Sequence, residues 1–195
     1  MRCLVIYAHP VETSLCAALC AEAVAGLRAG GHEVRVIDLH KEGFEPTMSR
    51  AERLKYHTRG ENEAPVREHL EHLHWAQALI FVYPTWWYGL PAMLKGWLDR
   101  VWIPHVTFTL PDDGSPIRGL MQHIECLVGI TTSGSSRFWM MLVGNPGRKT
   151  IMRGIRAICA RRCRKLWLAH YDIDKSTPES RAAFMKRVRA KLAAL

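Results

Sequence analysis

Residues 78–101 have the sequence ALIFVYPTWWYGLPAMLKGWLDRV, and the organisation of the whole chain can be worked out from this stretch. Residues 78–82 form an uninterrupted apolar run, which predicts a strand buried on both faces of a sheet. Pro84 cannot donate a hydrogen bond to a neighbouring strand and is expected to end it. Pro91 suits the first turn of a helix. Apolar residues follow it at helical spacing: Leu94, Trp97, Leu98 and Val101.

Three adjacent aromatic residues, Trp86, Trp87 and Tyr88, occupy the turn between this strand and this helix. In a doubly wound α/β sheet, such a turn lies at the carboxyl end of a strand, where the fold leaves a crevice for a ligand. The three rings can line a pocket for a flat aromatic ligand, or they can form a hydrophobic corner of the core. Residue types alone leave both interpretations open.

The length and charge of the chain limit its class. At 195 residues, the chain suits one well-cored α/β domain, residues 1–195. The net charge of +9 comes from residues 126–171, which contain no Asp or Glu. Basic residues in that segment are Arg137, Arg148, Lys149, Arg153, Arg156, Arg161, Arg162, Arg164 and Lys165. Such a segment is either a solvated helix face or a site for nucleic acid, anionic lipid or a phosphorylated cofactor.

Cysteine usage and hydropathy predict a reduced, cytoplasmic protein without a metal site. The 6 cysteines lie mostly in apolar patterns and include no C-x-x-C pair, so we expect core thiols. Two cysteine pairs four residues apart, and the histidines of residues 69–74, do not have spacing that favours a metal. No secretory signal is visible, and Pro84, Gly89 and Pro91 interrupt the uncharged run of residues 75–94.

The first strand and helix suggest an anion site. A predicted strand at residues 3–8 leads into a turn and then an amphipathic helix at residues 15–28, capped by Thr13 or Ser14. Free backbone N–H groups and two hydroxyls at the helix start can bind phosphate, although a plain N-cap has the same pattern. Neither a G-x-G-x-x-G motif nor a Walker loop is present, which argues against a dinucleotide-binding Rossmann domain and a P-loop NTPase.

The middle of the chain holds an edge strand and a long polar segment. Residues 33–39 alternate as a strand with one exposed side, and residues 66–76 are predicted to be a helix. Between them, residues 40–65 have weak periodicity, and we expect an excursion over the surface. Ser49 and Glu52 have the spacing of a capping box within it.

The last third contains two further strands and two helices. A predicted strand at residues 125–130 leads directly into the hydroxyl-rich turn TTSGSS, residues 131–136. Groups in such a turn can contact the polar edge of a flat ligand, although ordinary loops have the same composition. A basic helix is predicted at residues 148–161, a strand at 166–171 and an amphipathic helix at 178–195, capped by Ser176 or Thr177.

Strands and helices alternate five times, which predicts a five-stranded parallel sheet with helices on both faces. In the flavodoxin-like order 2-1-3-4-5, strands one, three and four are adjacent, so the loops that follow them meet. An anion site, an aromatic wall and a hydroxyl-rich turn would then correspond to the phosphate, the ring system and the polar edge of a flavin.

At these positions the chain resembles the flavodoxin-like NAD(P)H quinone dehydrogenases and related flavin reductases that regulate potassium efflux. The matching segments, in family order, are residues 8–10 with 13–14, 44–46 with 49–50, 84–101, and 131–135. The resemblance implies FAD as cofactor, with FMN as the alternative, because residues 40–65 resemble the corresponding segment of the FAD-binding members.

The resemblance also implies the residues that bind the flavin. Those expected at its phosphate are His9, Ser14, Leu15 and Cys16. Those expected to line the isoalloxazine ring are Pro84, Thr85, Trp86, Trp87 and Tyr88. Those expected at its polar edge are Thr131, Thr132, Ser133 and Gly134.

The reaction implied by the resemblance is ping-pong: NAD(P)H delivers a hydride and leaves, and a quinone or similar small-molecule acceptor then takes two electrons in the same pocket. The family also implies a homodimer. Its members carry a proposed proton relay, a Tyr and a His six residues apart. Trp139 and Asn145 hold those positions here and are the candidate catalytic residues, although Trp cannot shuttle a proton at neutral pH.

Two other functions compete with this one. A flavin-binding regulatory subunit of a membrane partner, such as a potassium efflux system, is the alternative, with the basic helix as its docking face. Nucleic-acid binding is not expected, because no helix-turn-helix pattern accompanies the basic residues.

Overall fold

A computed structural model describes residues 1–111 and 113–195. Five strands form one parallel sheet: β1 (Arg2–Tyr7), β2 (Glu33–Asp38), β3 (Ala78–Pro84), β4 (Cys126–Thr132) and β5 (Arg164–His170). Their order is β2-β1-β3-β4-β5, which confirms the predicted topology and the edge position of the second strand. A turn that the sequence Pro-Asp-Asp-Gly predicts at residues 111–114 includes Asp112, which lies outside the described residues.

Seven α-helices connect and flank the strands. They are α1 (Leu15–Ala29), α2 (Arg50–Lys55), α3 (Arg67–Trp75), α4 (Ala92–Val101), α5 (Arg137–Val143), α6 (Pro146–Lys149) and α7 (Pro178–Ala193). Short 3₁₀ turns lie at Ala64–Val66, Ile155–Ile158 and Ile173–Lys175, and a π turn at Thr150–Gly154. None of the helices in the described part of the chain has the length and hydropathy needed to cross a bilayer.

The core has two layers because successive residues of a strand point to opposite faces of the sheet. The inner strands β3 and β4 are buried along their whole length, as the apolar run at residues 78–82 predicted. Leu79 and Phe81 pack with α3 and α4 on one face. Ile80 and Val82 pack with α1 and α7 on the other.

The excursion of residues 40–65 is attached to α4. A side chain at Gly96 would collide with the backbone of Pro46, so only glycine permits this approach. Arg100 donates hydrogen bonds to the Glu45 carbonyl and to the Glu52 carboxylate. Burial raises the pKa of Glu52, but hydrogen bonds from Ser49 and Arg100 outweigh it and leave this pKa below its usual value. The predicted capping box between Ser49 and Glu52 is confirmed.

The predicted basic helix at residues 148–161 is confirmed only in part, because the helical segment covers residues 146–158 and is not one regular α-helix. The chain forms the four-residue helix α6, then the π turn and then a 3₁₀ turn. Across the two changes of helix type, Ile151, Met152 and Ile155 are buried in the core. Helix α5, by contrast, was not predicted, because only Met140 of its seven residues is buried and its sequence has no helical periodicity.

Several element ends differ from the predictions. Pro84 is the last residue of β3 and pairs with Thr132, so β4 continues through Thr131 and Thr132 into the expected turn. Ser14 caps α1, and Thr177 caps α7. These caps are two of the predicted candidates.

All 6 cysteines are free and buried. Burial raises the pKa of Cys16 to about 11 and that of Cys20 to about 12. It also raises the pKa of Cys126 to about 11. Across residues 1–111 and 113–195, no group of three His, Cys, Asp or Glu side chains is arranged to hold a metal ion.

Candidate functional site

A cleft of about 500 Å³ opens at the carboxyl edge of the sheet, and we refer to it as the aromatic cleft. Its lining residues are Thr85, Trp86, Trp87, Tyr88, Ser133, Gly134, Ser135, Met140 and Asp174. They follow β3, β4 and β5, as expected for a doubly wound sheet whose ligands bind beyond the strand ends.

The aromatic turn after β3 has a constrained backbone. Trp87 and Tyr88 have φ angles of 46° and 63°, in the left-handed region that costs a non-glycine residue roughly 1–2 kcal/mol. The Gly89 N–H donates to the Trp86 carbonyl at 3.0 Å and closes the turn. Trp86 is 48% exposed and Trp87 94% exposed. These two rings therefore belong to the molecular surface and not to a corner of the core.

Thr85 is held in place by the end of β4. Its N–H donates to the Thr132 carbonyl at 2.7 Å, and its hydroxyl lies 2.9 Å from the Thr131 hydroxyl. Thr131 and Thr132 are both buried, so these two residues position Thr85, while the residues after them form the cleft wall. The Ser133 N–H donates a hydrogen bond to the His170 carbonyl at 2.8 Å, and this bond connects the cleft wall to β5.

Gly134, which follows β4, lines the aromatic cleft next to Asp174, which follows β5. A Cβ atom at this position would lie 2.9 Å from Oδ2 of Asp174, closer than side chains approach one another. The absence of a side chain therefore allows Asp174 to reach the cleft. Sequence reasoning identified Gly134 but missed Ser135, Met140 and Asp174. The acidic turn directly after the last strand was the available signal for Asp174.

The start of α1 offers hydrogen-bond donors for an anion. The Ser14 hydroxyl accepts from the Ala17 N–H at 3.1 Å and caps the helix. The N–H groups of Leu15 and Cys16 precede any intrahelical acceptor, as at every helix start, and the helix dipole adds positive potential there. The arrangement suits a phosphate.

His9 adds a further donor beside α1. Its Nδ1 accepts from the Val11 N–H at 3.0 Å. Burial lowers the pKa of His9, with a smaller contribution from nearby His40, so the ring is neutral at pH 7 and carries its proton on Nε2. Nε2 can therefore donate a hydrogen bond.

Two contacts join the start of α1 to the aromatic cleft. The ring centroids of His9 and Trp86 lie 6.2 Å apart. The Cys16 thiol lies 3.6 Å from the Thr132 hydroxyl. The predicted phosphate, ring and edge residues thus form one continuous region, although Pro84, Thr131 and Thr132 lie behind its surface.

The two candidate catalytic residues lie apart. The indole of Trp139 donates a hydrogen bond to the Tyr88 hydroxyl, 3.0 Å away, at the aromatic cleft. Asn145 lies beyond the other end of α5, has a φ of 49° and lines a separate, basic cleft. The side chain next to Trp139 that carries an exchangeable proton is therefore Tyr88.

Residues 1–194 match the protein family described as having a flavodoxin-like fold. The chain belongs to the flavodoxin-like fold family. Two curated proteins show the sequence relationship. The ribosyldihydronicotinamide dehydrogenase-like protein traD of Penicillium crustosum is 39% identical over 118 residues, covering 52% of this flavodoxin-like chain and 44% of traD. NAD(P)H dehydrogenase (quinone) 1 of Rattus norvegicus is 28% identical over 211 residues. The match covers 98% of this chain and 76% of the rat protein. The match to traD thus spans less than half the length of that relative.

Solved structures share the architecture. The NAD(P)H:quinone oxidoreductase of Methanothermobacter marburgensis superposes with a TM-score of 0.84 at 23% identity, covering 99% of this chain and 98% of that one. An FMN-dependent NADH-azoreductase of Bacillus anthracis, in complex with FMN, has a TM-score of 0.78 at 18% identity, covering 100% and 99%. At these identities the likeness shows the flavodoxin-like fold.

Proposed function

We propose that this flavodoxin-like chain is a flavin-dependent NAD(P)H oxidoreductase that reduces a quinone or a similar small-molecule acceptor by two electrons. The observation that carries the proposal is the convergence of three loops, after β1, β3 and β4, on one region at the sheet edge. Anion donors at α1, exposed indole rings and small polar residues lie there in that order. The quinone dehydrogenase named among the relatives supports the same activity.

The residues present fit a flavin. Its phosphate would lie against the N–H groups of Leu15 and Cys16 and the Nε2 of His9, and its ring against Trp86 and Trp87. The exposed Gly134 would face the polar edge, with Ser133 buried behind it. We propose FAD as the cofactor. The excursion of residues 40–65, which is attached to α4, resembles the corresponding segment of the FAD-binding quinone dehydrogenases. FMN, which is bound in the azoreductase of the same fold, is the alternative.

When bound, a flavin supplies two-electron transfer between NAD(P)H and the acceptor. The chain's own residues would hold both substrates in turn in the aromatic cleft, in a fixed position relative to the ring. Tyr88 can hold a proton at the cleft: its oxygen accepts from Trp139, so its own hydrogen remains free to donate to a reduced acceptor. We infer that this hydroxyl takes the place of the Tyr and His relay of the resembling family.

We also propose a homodimer. Helix α5 exposes large apolar side chains beside the aromatic cleft, among them Phe138, Leu142 and Val143. An exposed apolar surface of this kind is typical of an interface. In light scattering after size-exclusion chromatography, we expect a mass near twice the 22.2 kDa of the chain. Phe138→Glu with Leu142→Glu should give monomers, and unchanged dimers would contradict this interface.

One set of measurements tests the function. Purified protein should be yellow, with flavin absorbance bands, and chromatography of the released chromophore identifies FAD or FMN. Steady NAD(P)H oxidation in the presence of a quinone, with parallel-line initial-rate kinetics, would support a ping-pong oxidoreductase. Flavin binding without turnover would refute the proposed activity and favour a regulatory subunit.

A further inference from the structure

A basic cleft lies on the other side of α5 from the aromatic cleft. It consists of two adjoining pockets of about 340 and 400 Å³ that share Met141, Asn145 and Arg148. Its 6 cationic lining residues are Arg137, Arg148, Lys149, Arg153, Lys165 and Arg187. They come from α5, α6, the π turn at Thr150–Gly154, β5 and α7. The cluster is therefore assembled by the fold and not by a local run of charges.

The cationic side chains that line the basic cleft have no carboxylate partners among the described residues. Within residues 1–111 and 113–195, none of the six cationic side chains forms an ion pair, and no Asp or Glu lines either pocket. A cleft that concentrates unpaired cations favours a multiply charged anion.

The position of the basic cleft separates it from the phosphate site proposed at α1. That site follows β1, whereas the basic cleft lies against β5, and β3 and β4 lie between these strands. Strands about 4.8 Å apart place β1 and β5 roughly 14 Å from each other, with the aromatic cleft between them. The flavin phosphate at α1 would therefore leave the basic cleft free.

The basic cleft is nevertheless close enough to serve the same reaction. Helix α5 has seven residues and is roughly 10 Å long. Met140 lines the aromatic cleft, and its neighbour Met141 lines the basic cleft. Ser135 lines the aromatic cleft and Arg137 lines the basic cleft, so a dinucleotide whose nicotinamide lies in the aromatic cleft can reach the basic cleft past the start of this helix. This path leaves the exposed Phe138 and Leu142 side chains free.

We propose that the basic cleft binds the adenosine 2′-phosphate of NADPH, so that this chain uses NADPH in preference to NADH. The inference rests on the proposed oxidoreductase function. The 2′-phosphate is a dianion that NADH lacks, and guanidinium groups bind phosphate through paired, charge-assisted hydrogen bonds. Arg148 is the central residue because it lines both pockets.

Binding tests the site without requiring turnover. Calorimetry on the protein purified with its bound cofactor would compare 2′,5′-ADP with 5′-AMP, which lacks the 2′-phosphate. We expect 2′,5′-ADP to bind at least about tenfold more tightly and Arg148→Ala to remove most of that difference. Arg162→Ala removes an exposed charge from the same segment, outside the cleft, and should change nothing. Equal affinity of the two nucleotides for the unaltered protein would overturn the proposal.

Kinetics connects the site to the reaction. With a quinone as acceptor, kcat/KM should favour NADPH over NADH, and Arg148→Ala should lower the value for NADPH about tenfold while leaving that for NADH unchanged. An equal loss with both donors would overturn the assignment of Arg148. Binding of 2′,5′-ADP that depends on Arg148, without quinone reduction, would support the phosphate site and refute the proposed function. Heparin binding that Arg148→Ala weakens, without any preference for 2′,5′-ADP over 5′-AMP, would identify a surface for polyanions and overturn the inference.

Discussion

The indole N–H of Trp139 donates to the hydroxyl oxygen of Tyr88 across 3.0 Å, and this hydrogen bond joins α5 to the aromatic turn. Tyr88 has a left-handed backbone, so the bond from Trp139 helps to fix the direction of its ring. An indole can only donate. The hydroxyl hydrogen of Tyr88 therefore has no use in this pair and can point toward the cleft.

Trp139→Phe should slow quinone reduction while leaving the fold intact. The substitution keeps an aromatic ring but removes the N–H donor, and Trp139 is a surface residue, so the melting temperature should change little. We expect kcat to fall several-fold and Tyr88→Phe to reduce it at least as much. Combining the two should add nothing, because both remove the same hydrogen bond. Independent, multiplying effects in this double-mutant cycle would argue against a shared role.

Trp87→Ala should give protein that is purified without yellow colour. The ring of Trp87 is almost fully exposed, so its loss removes a stacking surface without opening the core. Flavin affinity, measured by fluorescence titration, should fall about tenfold or more. Leu54→Ala is the matched control because Leu54 is also an exposed large apolar residue and lies on α2, outside the aromatic cleft. Full flavin content with unchanged affinity in Trp87→Ala would refute the stacking role.

Ser14→Ala should weaken both the fold and the phosphate site. Loss of the cap on α1 should cost about 1 kcal/mol of unfolding free energy, and the start of the helix should fray. Ser49→Ala removes the equivalent cap of α2, away from the site. Chemical denaturation should show similar losses for the two variants, whereas only Ser14→Ala should lower flavin affinity. Equal flavin affinity in both would remove Ser14 from the phosphate site.

Stability should fall as the pH drops from 6.5 toward 4, and His69 is a principal cause. Burial lowers the pKa of His69 to about 4, with smaller contributions from His72 and Arg100. In the unfolded chain His69 binds a proton near pH 6.5, whereas in the folded chain it does so only near pH 4. The free energy of unfolding is therefore unaffected by His69 above pH 6.5 and decreases as the pH falls from 6.5 toward 4. The loss should amount to roughly 1–3 kcal/mol after allowance for solvent screening.

His69→Gln should remove most of this decline in urea denaturation between pH 7 and pH 4. Gln can still accept the hydrogen bond that the Trp97 indole donates to Nδ1 of His69 at 3.4 Å. His57→Gln, at an exposed position, serves as the control and should leave the decline unchanged. A pH profile of His69→Gln identical to that of the unaltered protein would rule out this residue as the cause.

Arg100→Leu should destabilise the fold by about 3 kcal/mol, because it leaves the mostly buried Glu52 without its cation. For a chain of this size, a loss of about 3 kcal/mol corresponds to a fall of roughly 6–12 °C in Tm. Lys95→Ala breaks the exposed pair of Lys95 and Asp99 and should change stability by less than about 0.5 kcal/mol. Comparable melting curves for the two variants would show that Arg100 does not anchor the excursion.

The sheet order and most of its helices could be predicted because their sequence signals are local. The apolar run of β3, the Ser49 and Glu52 box and the start of α1 each have a direct physical cause within a few residues. The loops of the site could be predicted in turn, since parallel strands place the loops that follow them at one edge.

The residues around α5 could not be predicted, because their conformation depends on contacts far along the chain. Helix α5 has an almost entirely exposed apolar sequence, so its periodicity carries no signal. The bond between Trp139 and Tyr88 joins residues 51 positions apart. The approach of Asp174 to Gly134 requires knowledge of how β5 ends.

The burial of the 6 thiols has a chemical consequence for the proposed reduction of a quinone. Quinones are electrophiles that alkylate cysteine thiolates. Cys16, nearest the aromatic cleft, is buried and has a pKa of about 11, so at neutral pH it is both shielded and protonated. The proposed acceptor would therefore meet a Cys16 side chain that is neither exposed nor ionised.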